Sequence, residues 1–219
     1  MSDDPETLRQ IEALSHDARP LLVVDVDEVV LEFVNPFNAF LNGRGLELGQ
    51  TSFRLHGNIF SRADRAALVD EAVSALIEEF WGVQADWQQL AAGAPDVLEG
   101  LSAQVSVVLL TAMPHRFREH RRKHLEALGL AHPLLTTEAA KGPAVARLRG
   151  PSRRPVGFVD DIPRNLRSVR DAVPDAALFH LMAHPGFRAL LPPLEDGITS
   201  VEDWPSAEAP IRRALGLSA

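Results

Sequence analysis

Three apolar runs constrain the fold of this 219-residue chain more than any other feature of its sequence. They span residues 21–26, which only Asp25 interrupts, 105–110 and 156–159. Continuous apolar runs of this length are typical of strands that are buried on both faces of a sheet. Residues 134–137 and 177–181 are weaker candidates for further strands.

Helical patterns alternate with these runs. Apolar residues recur at helical spacing over residues 115–128, 140–148 and 163–173. An amphipathic helix is predicted over residues 4–16, and a last helix from about Ser206. Strands that alternate with helices predict an α/β fold with a doubly wound parallel sheet.

Residues 31–92 interrupt this alternation and predict a mostly helical insert, because no run there is as strand-like as the others. Asn35-Pro36 is a favourable helix start, with Asn35 as the cap. A second helix is predicted from Ser61, as its cap, to about Trp81. The predicted domains are therefore a core of residues 1–30 and 93–219 and an insert of residues 31–92.

Composition excludes several classes of function. The chain has a formal net charge of −8, which argues against nucleic acid as a partner. It has no cysteine, so thiolate catalysis and cysteine-bound zinc are excluded. The polar, acidic N-terminus does not resemble a secretory signal, and no apolar run reaches the length of a membrane span. A cytoplasmic protein that does not bind membranes is expected, while its oligomeric state stays open.

Carboxylates follow two of the apolar runs. Asp25 and Asp27 end the first run, and Asp160-Asp161 follow the third. A single carboxylate at a strand end is commonly a cap of the next turn. Residues that lie two positions apart in a strand face the same side, however. Asp25 and Asp27 would therefore repel each other without a cation. Because strand ends of a parallel sheet converge, a magnesium site with oxygen ligands is predicted.

Two further polar residues occupy suggestive positions. Thr111 follows the second apolar run, and Lys141 stands at the start of a predicted helix. The other lysine, Lys123, lies in mid-helix beside Arg121 and Arg122, which predicts a solvated basic face. Lys141 is therefore the preferred candidate for a charged group in the site.

In chain order, these motifs resemble those of the haloacid dehalogenase-like hydrolase superfamily. The resemblance covers about residues 20–30 and 105–182. It consists of a hydrophobic strand with DVDEVV, a hydrophobic strand with Thr, a lysine, and a hydrophobic strand with Asp-Asp. It implies a Rossmann-like core with a small, mostly helical cap domain in place of the insert.

The resemblance also implies a role for each matching residue. Asp25 is the implied nucleophile, which forms an aspartyl-phosphate. Asp27 is the implied general acid and base. Thr111 would hydrogen-bond a phosphoryl oxygen, and Lys141 would balance the charge of the nucleophile and of the phosphoryl group.

The implied metal is Mg²⁺. Its ligands would be the Asp25 carboxylate, the Asp27 backbone carbonyl and Asp160. Asp161 would support the metal or orient Lys141. The family often has Gly and then Thr after its second Asp, where this chain has Glu28 and Val29. This departure concerns the turn beside the nucleophile and the approach of substrate.

The retained Asp27 favours one chemistry within the resemblance. The family's dehalogenases and phosphonate-cleaving members lack an Asp there, so hydrolysis of a small phosphorylated metabolite is expected. Phosphoryl transfer to a sugar hydroxyl, as in the family's mutases, stays open. A phospho-accepting receiver domain is a rival of another class, but its acidic pair comes first and its lysine last. A non-catalytic binding module is the remaining alternative.

The insert follows the first motif directly, as the superfamily's helical cap does, so substrate selection is expected there. Each residue proposed to contact substrate also fits a plain surface or core position. The candidate substrate-binding residues are Arg54, His56, Arg62, Met113 and His115.

Overall fold

The computed structural model describes residues 4–14 and 17–218, and its core is a six-stranded parallel sheet. The strands are β1 (Leu21–Val24), β2 (Leu46–Leu48), β3 (Ile59–Ser61), β4 (Ser106–Thr111), β5 (Leu134–Thr136), β6 (Val156–Asp160), β7 (Ala177–Leu181) and β8 (Ile198–Val201). The large sheet has the order β5-β4-β1-β6-β7-β8 with parallel pairing throughout. The antiparallel pair β2-β3 forms a separate small sheet.

Helices cover both faces of the large sheet. The helices are α1 (Pro5–Glu12), α2 (Val34–Asn42), α3 (Asp70–Val83), α4 (Ala94–Ser102), α5 (Arg118–Ala127), α6 (Lys141–Arg149), α7 (Pro163–Ala172), α8 (Pro185–Arg188) and α9 (Trp204–Ala214). Side chains of α1, α6 and α7 pack in one core cluster, and those of α4, α5 and α9 pack in another.

Strand β1 shows why its sequence is apolar without interruption. Leu22 and Val24 point into the cluster that contains α4, α5 and α9, whereas Leu21 and Val23 point into the other. Successive side chains of a strand alternate between faces, so both sets must be apolar when both faces are covered. The predicted α/β fold with a doubly wound parallel sheet is confirmed.

Several boundaries differ from the prediction. Helix α1 is described over Pro5–Glu12, and the rest of the predicted 4–16 helix includes Ser15 and His16, which lie outside the described residues. The sequence did not indicate α4, α8 or β8. Strand β8 stands at the sheet edge with Thr199 and Ser200 exposed, so it lacks the continuous apolar run of a central strand.

The insert leaves and rejoins the core at adjacent points. Leu31 and Leu90 form an antiparallel bridge. Ala91 donates its backbone N–H to the Val30 carbonyl at 2.8 Å, and Glu32 donates to the Gln89 carbonyl at 2.9 Å. Residues 31–92 are thus connected to the core through two segments that lie side by side and are hydrogen-bonded to each other.

The interior of the insert is aromatic. Phe33, Phe37, Phe40 and Phe80 pack with ring centroids 5.2–6.0 Å apart. The same cluster includes Met182 and Phe187, which follow β7. The insert therefore has its own apolar centre and rests on the end of the large sheet.

Two helix starts within the insert were predicted wrongly. Ser61 ends strand β3, and α3 begins only at Asp70, because the residues between them turn back along the small sheet. Helix α2 begins at Val34, without a side-chain hydrogen bond from its own cap residue. The segment contains helices α2 and α3, but they cover less than half of it, and it also contains the two-stranded sheet that the sequence did not indicate. Among the described residues, no helix is long and apolar enough to cross a membrane.

Candidate active site

Asp25 lies at the carboxyl end of the central strand β1, between β4 and β6. Its backbone N–H donates to the Val159 carbonyl at 2.9 Å, which continues the pairing of β1 with β6. Its Oδ1 accepts from the Val26 N–H at 2.8 Å. The strand topology thus fixes this carboxylate where ligands bind in doubly wound sheets.

Lys141 is buried between two carboxylates. Its Nζ lies 2.6 Å from Asp25 Oδ1 and 2.7 Å from Asp160 Oδ2. Burial acts to lower the pKa of Lys141, but Asp160 and Asp25 outweigh it, so the pKa rises and the lysine stays charged. Lys141 supplies a fixed positive charge at the predicted position.

Close packing of two helices brings Lys141 to this place. Gly142, the second residue of α6, donates its N–H to Ser168 Oγ at 3.0 Å. A Cβ atom at Gly142 would lie 2.1 Å from the Ser168 carbonyl oxygen, so only glycine allows α6 to approach α7 so closely. The sequence pair Lys141-Gly142 therefore has a structural reason.

Three buried carboxylates meet beside this lysine. Asp25, Asp160 and Asp161 each offer a carboxylate oxygen, and these oxygens lie within 4.8 Å of one another. Burial raises the pKa of Asp25 to about 7, against the attraction of Lys141, and Asp160 adds to the rise. Burial likewise raises the pKa of Asp161, with repulsion from Asp160 and Asp25. A hard divalent cation would offset this excess of negative charge, and carboxylate oxygens are the ligands that it prefers.

Asp160 is held in place from several sides. Its Oδ1 accepts from the Ile162 N–H at 2.9 Å and from Asn165 Nδ2 at 3.0 Å, while Lys141 contacts Oδ2. Asn165 is a site residue that the sequence did not indicate. It lies on the first turn of α7, two residues after Pro163, where a polar side chain reads as ordinary helix surface.

Asp27 is bound by two residues, Arg121 and Gln88, that the sequence did not place in the site. Its Oδ1 accepts from Arg121 Nη1 and from Gln88 Nε2, both at 2.9 Å, and its Oδ2 lies 3.5 Å from Thr111 Oγ1. Arg121 is fully buried, so the prediction of a solvated basic face is wrong at this residue. Arg121 precedes Leu125 by one helical turn and shares its buried face, a periodicity that could have revealed it.

A cleft of about 790 Å³ opens above these residues, and Asp25, Asp27, Thr111 and Asp161 line it. Much of its wall is apolar, and the insert and the core contribute equally to it. The insert provides Phe33, Val34, Phe53, Leu55, Ile77 and Trp81, and the core provides Ala112, Ile162, Pro163, Met182, Phe187 and Pro192. Arg54, His56 and Arg164 also line the cleft, and all three are exposed.

Of the five candidate substrate-binding residues, the structure places two in the cleft and three outside it. Arg54 and His56 line the cleft. Arg62 does not, because it is exposed on the small sheet with its Nε 3.8 Å from Glu47. Met113 is fully buried in the protein interior. His115 contacts Asp4 and Thr136, so it ties α1 to the end of β5.

Glu28 replaces the expected glycine and has a structural use. Its backbone has φ +64°, a conformation that favours glycine. Its Oε2 accepts from the N–H groups of Phe33 and Val34 at 2.9 and 2.7 Å, and its Oε1 accepts from the His184 N–H at 2.6 Å. Glu28, rather than Asn35, therefore caps α2, and it joins the insert to the segment after β7.

The chain matches no protein-family model and no curated protein sequence. Its structure is similar to a haloacid dehalogenase family hydrolase from Deinococcus radiodurans with bound phosphate and sodium, with TM-score 0.62, 16% identity, and coverage of 92% of this chain and 99% of that one. A haloacid dehalogenase-like family hydrolase from Xanthomonas campestris gives TM-score 0.56, 13% identity, and coverage of 91% and 93%.

A D,D-heptose 1,7-bisphosphate phosphatase from Burkholderia thailandensis gives TM-score 0.50, 14% identity, and coverage of 88% and 98%. The agreement with these structures covers most of each chain. Over nearly its whole length, this chain has the fold of the haloacid dehalogenase-like hydrolases.

Proposed function

We propose that this chain is a phosphate monoester hydrolase of the haloacid dehalogenase-like superfamily that uses Asp25 as a covalent nucleophile and requires Mg²⁺. One observation carries the proposal: Asp25, at the end of the central strand, is paired with buried Lys141 and has Asp160 and Asp161 within metal-ligand reach. A carboxylate that only capped a turn would need neither a buried lysine nor two further buried acids.

Mg²⁺ would be held by Asp25, the Asp27 backbone carbonyl, Asp160 and Asp161. The donors fit this ion because all are oxygens and the acids carry more negative charge than Lys141 balances. When bound, the ion would neutralise charge on the phosphoryl group as it is transferred.

The first half-reaction moves the phosphoryl group to the protein. A carboxylate oxygen of Asp25 attacks phosphorus, and the bond from phosphorus to the substrate's bridging oxygen breaks. Asp27 donates a proton to that departing oxygen, so the alcohol leaves neutral. Lys141 and Thr111 stabilise the charge on the phosphoryl oxygens.

The second half-reaction restores the protein. Water attacks phosphorus of the aspartyl-phosphate, and Asp27 takes its proton. The bond from phosphorus to the Asp25 oxygen breaks, which releases inorganic phosphate and returns Asp25 to its carboxylate form. Phosphoryl transfer to a second hydroxyl would use the same groups, with that hydroxyl in place of water.

We also propose that residues 31–92 act as a cap that selects substrate, above a core of residues 1–30 and 93–219. The insert supplies half of the apolar residues in the cleft wall, together with Arg54 and His56. An apolar wall binds an organic group with apolar surface better than it binds a polyol, which needs many hydrogen bonds. The proposed substrate is therefore a small phosphate monoester whose organic part is partly apolar.

The test is a screen of the purified chain with Mg²⁺ against a panel of phosphorylated metabolites and aryl phosphates, with release of inorganic phosphate as the readout. Asp25→Asn should release none, whereas Asp171→Asn, on the exposed side of α7, should match wild type. Transfer to an added sugar without phosphate release would identify a phosphotransferase. Failure of wild type to release or transfer phosphate from any substrate would refute the proposal.

A further inference from the structure

Arg121 is buried in a way that stability does not explain. Its side chain is 0% exposed, and among the described residues it forms an ion pair with Asp27 alone, at 2.9 Å. Its Nε and Nη2 have no hydrogen-bond partner within residues 4–14 and 17–218. A buried guanidinium with incomplete hydrogen bonding is unfavourable for folding, and apolar residues of similar size often replace buried ion pairs without loss.

Gln88 binds the same oxygen from another part of the chain. Its Nε2 donates to Asp27 Oδ1 at 2.9 Å and to the Glu32 carbonyl at 3.1 Å. Gln88 lies beside the segment where the insert rejoins the core, whereas Arg121 lies on α5 of the core. The Oδ1 atom thus has one donor from the insert and one from the core.

The two oxygens of Asp27 are consequently not equivalent. Oδ1 accepts two hydrogen bonds, whereas within the described part of the chain Oδ2 has only Thr111 Oγ1 at 3.5 Å, the outer limit of a hydrogen bond. Asp27 and Thr111 both line the cleft beside Asp25. With Oδ1 engaged, Oδ2 is the oxygen that can exchange a proton with a substrate.

We propose that Arg121 and Gln88 are positioning residues that hold Oδ1 of Asp27, so that Oδ2 faces the bridging oxygen of the substrate. The inference rests on the proposed function, because it assigns Asp27 its acid–base role. In the first half-reaction Oδ2 gives its proton to the departing oxygen, and in the second it receives a proton from the attacking water. A carboxylate that is free to rotate would spend less time in the productive orientation.

The experiment measures kcat/KM for phosphate monoesters whose leaving groups differ widely in pKa: phenyl, 4-nitrophenyl and 2,4-dinitrophenyl phosphate. kcat/KM reports the steps up to departure of the leaving group, so later hydrolysis does not mask the effect. The variants are Arg121→Met, which keeps the length of the side chain without its charge, and Gln88→Leu. The matched controls are their neighbours: Arg122→Met, at a half-buried residue that pairs with surface glutamates, and Gln89→Leu, at an exposed one.

Arg121→Met and Gln88→Leu should each lower kcat/KM for phenyl phosphate about tenfold to a hundredfold, since general acid catalysis contributes about 10²–10⁴-fold. The loss for 2,4-dinitrophenyl phosphate should be within about threefold, because that leaving group needs little protonation. Asp27→Asn should show the same dependence on the leaving group. Adding Arg121→Met to Asp27→Asn should cause little further loss, since residues that act as one unit are not additive.

Equal losses for all three esters, or full additivity with Asp27→Asn, would overturn the proposal and leave Arg121 a structural residue. If Arg121→Met fails to fold, Gln88→Leu and Arg121→Lys provide the same comparison, and Arg121→Lys should recover part of the activity. The activity of the wild-type protein tests the proposed function separately. If it hydrolyses 2,4-dinitrophenyl phosphate while the variants show no leaving-group dependence, only the positioning role fails.

Discussion

Replacing Glu28 by alanine tests whether this residue joins the insert to the core. The change removes the acceptor of three backbone N–H groups, those of Phe33, Val34 and His184. A buried N–H without an acceptor costs about 1–3 kcal/mol. If all three groups lost their acceptor in full, the free energy of unfolding would fall by about 3–9 kcal/mol.

Two effects reduce this sum. Burial raises the pKa of Glu28, which shows that its charge is itself unfavourable there, and removal of the side chain relieves that penalty. Water can also enter the space that the side chain leaves, and it can accept some of the hydrogen bonds. We expect a net loss of about 3 kcal/mol in the free energy of unfolding.

Glycine at the same position gives a sharper comparison. Glycine usually destabilises a protein relative to alanine, because it adds freedom to the unfolded chain. At φ +64° the order should reverse, because alanine pays about 1–2 kcal/mol there and glycine does not. Glu28→Gly should thus be less stable than wild type but more stable than Glu28→Ala.

Urea-induced unfolding followed by circular dichroism measures these differences, with Glu202→Ala as an exposed control that should leave the midpoint unchanged. If Glu28→Ala loses less than about 0.5 kcal/mol, the three hydrogen bonds contribute nothing net. If Glu28→Gly is the less stable of the two variants, the conformational argument is wrong.

Three further predictions concern activity. Asp25→Asn should retain less than a few per cent of wild-type kcat while its circular dichroism spectrum shows an intact fold; greater retention would exclude covalent catalysis by Asp25. Mg²⁺ should support phosphate release and Ca²⁺ should suppress it, because Ca²⁺ takes six to eight oxygen ligands and would engage the attacking oxygen of Asp25; equal rates with both ions, or activity in chelator, would contradict the metal assignment. Arg54→Ala should lower kcat/KM for the best natural substrate more than for phenyl phosphate, whereas Arg62→Ala should change neither, since only Arg54 lines the cleft; equal effects of the two variants would misplace the specificity site.

The central strands could be predicted because burial on both faces requires a continuous run of apolar residues in the sequence. Strand β1 is covered from both sides, so every residue of Leu21–Val24 is apolar. The strands of the insert have no such continuous apolar run. Strands β2 and β3 have three residues each and one buried side, so they cannot be distinguished from loops by their pattern.

The missed site residues depend on long-range contacts. Gln88 and Arg121 meet Asp27 across 61 and 94 positions of sequence, and nothing local to Gln88 marks it. Glu28 was noticed only as a departure from glycine, since its partner His184 is 156 positions away. The polar residues at strand ends could be assigned to the site from the sequence. The residues that orient them could be identified only once the fold was known.

The paired entry and exit of the insert have a consequence for how such a chain can change. Leu31 and Leu90 already lie opposite each other, so the chain between them is a closed loop whose ends the core holds together. Deleting or exchanging that loop would require only a short turn to rejoin the ends, and the register of the large sheet would not change. Loop-closure entropy grows only with the logarithm of length, so a longer or shorter insert would alter folding stability little. Such an exchange would leave Asp25, Lys141 and Asp160 in place, but it would remove Gln88, so the new loop would have to supply another donor to Asp27.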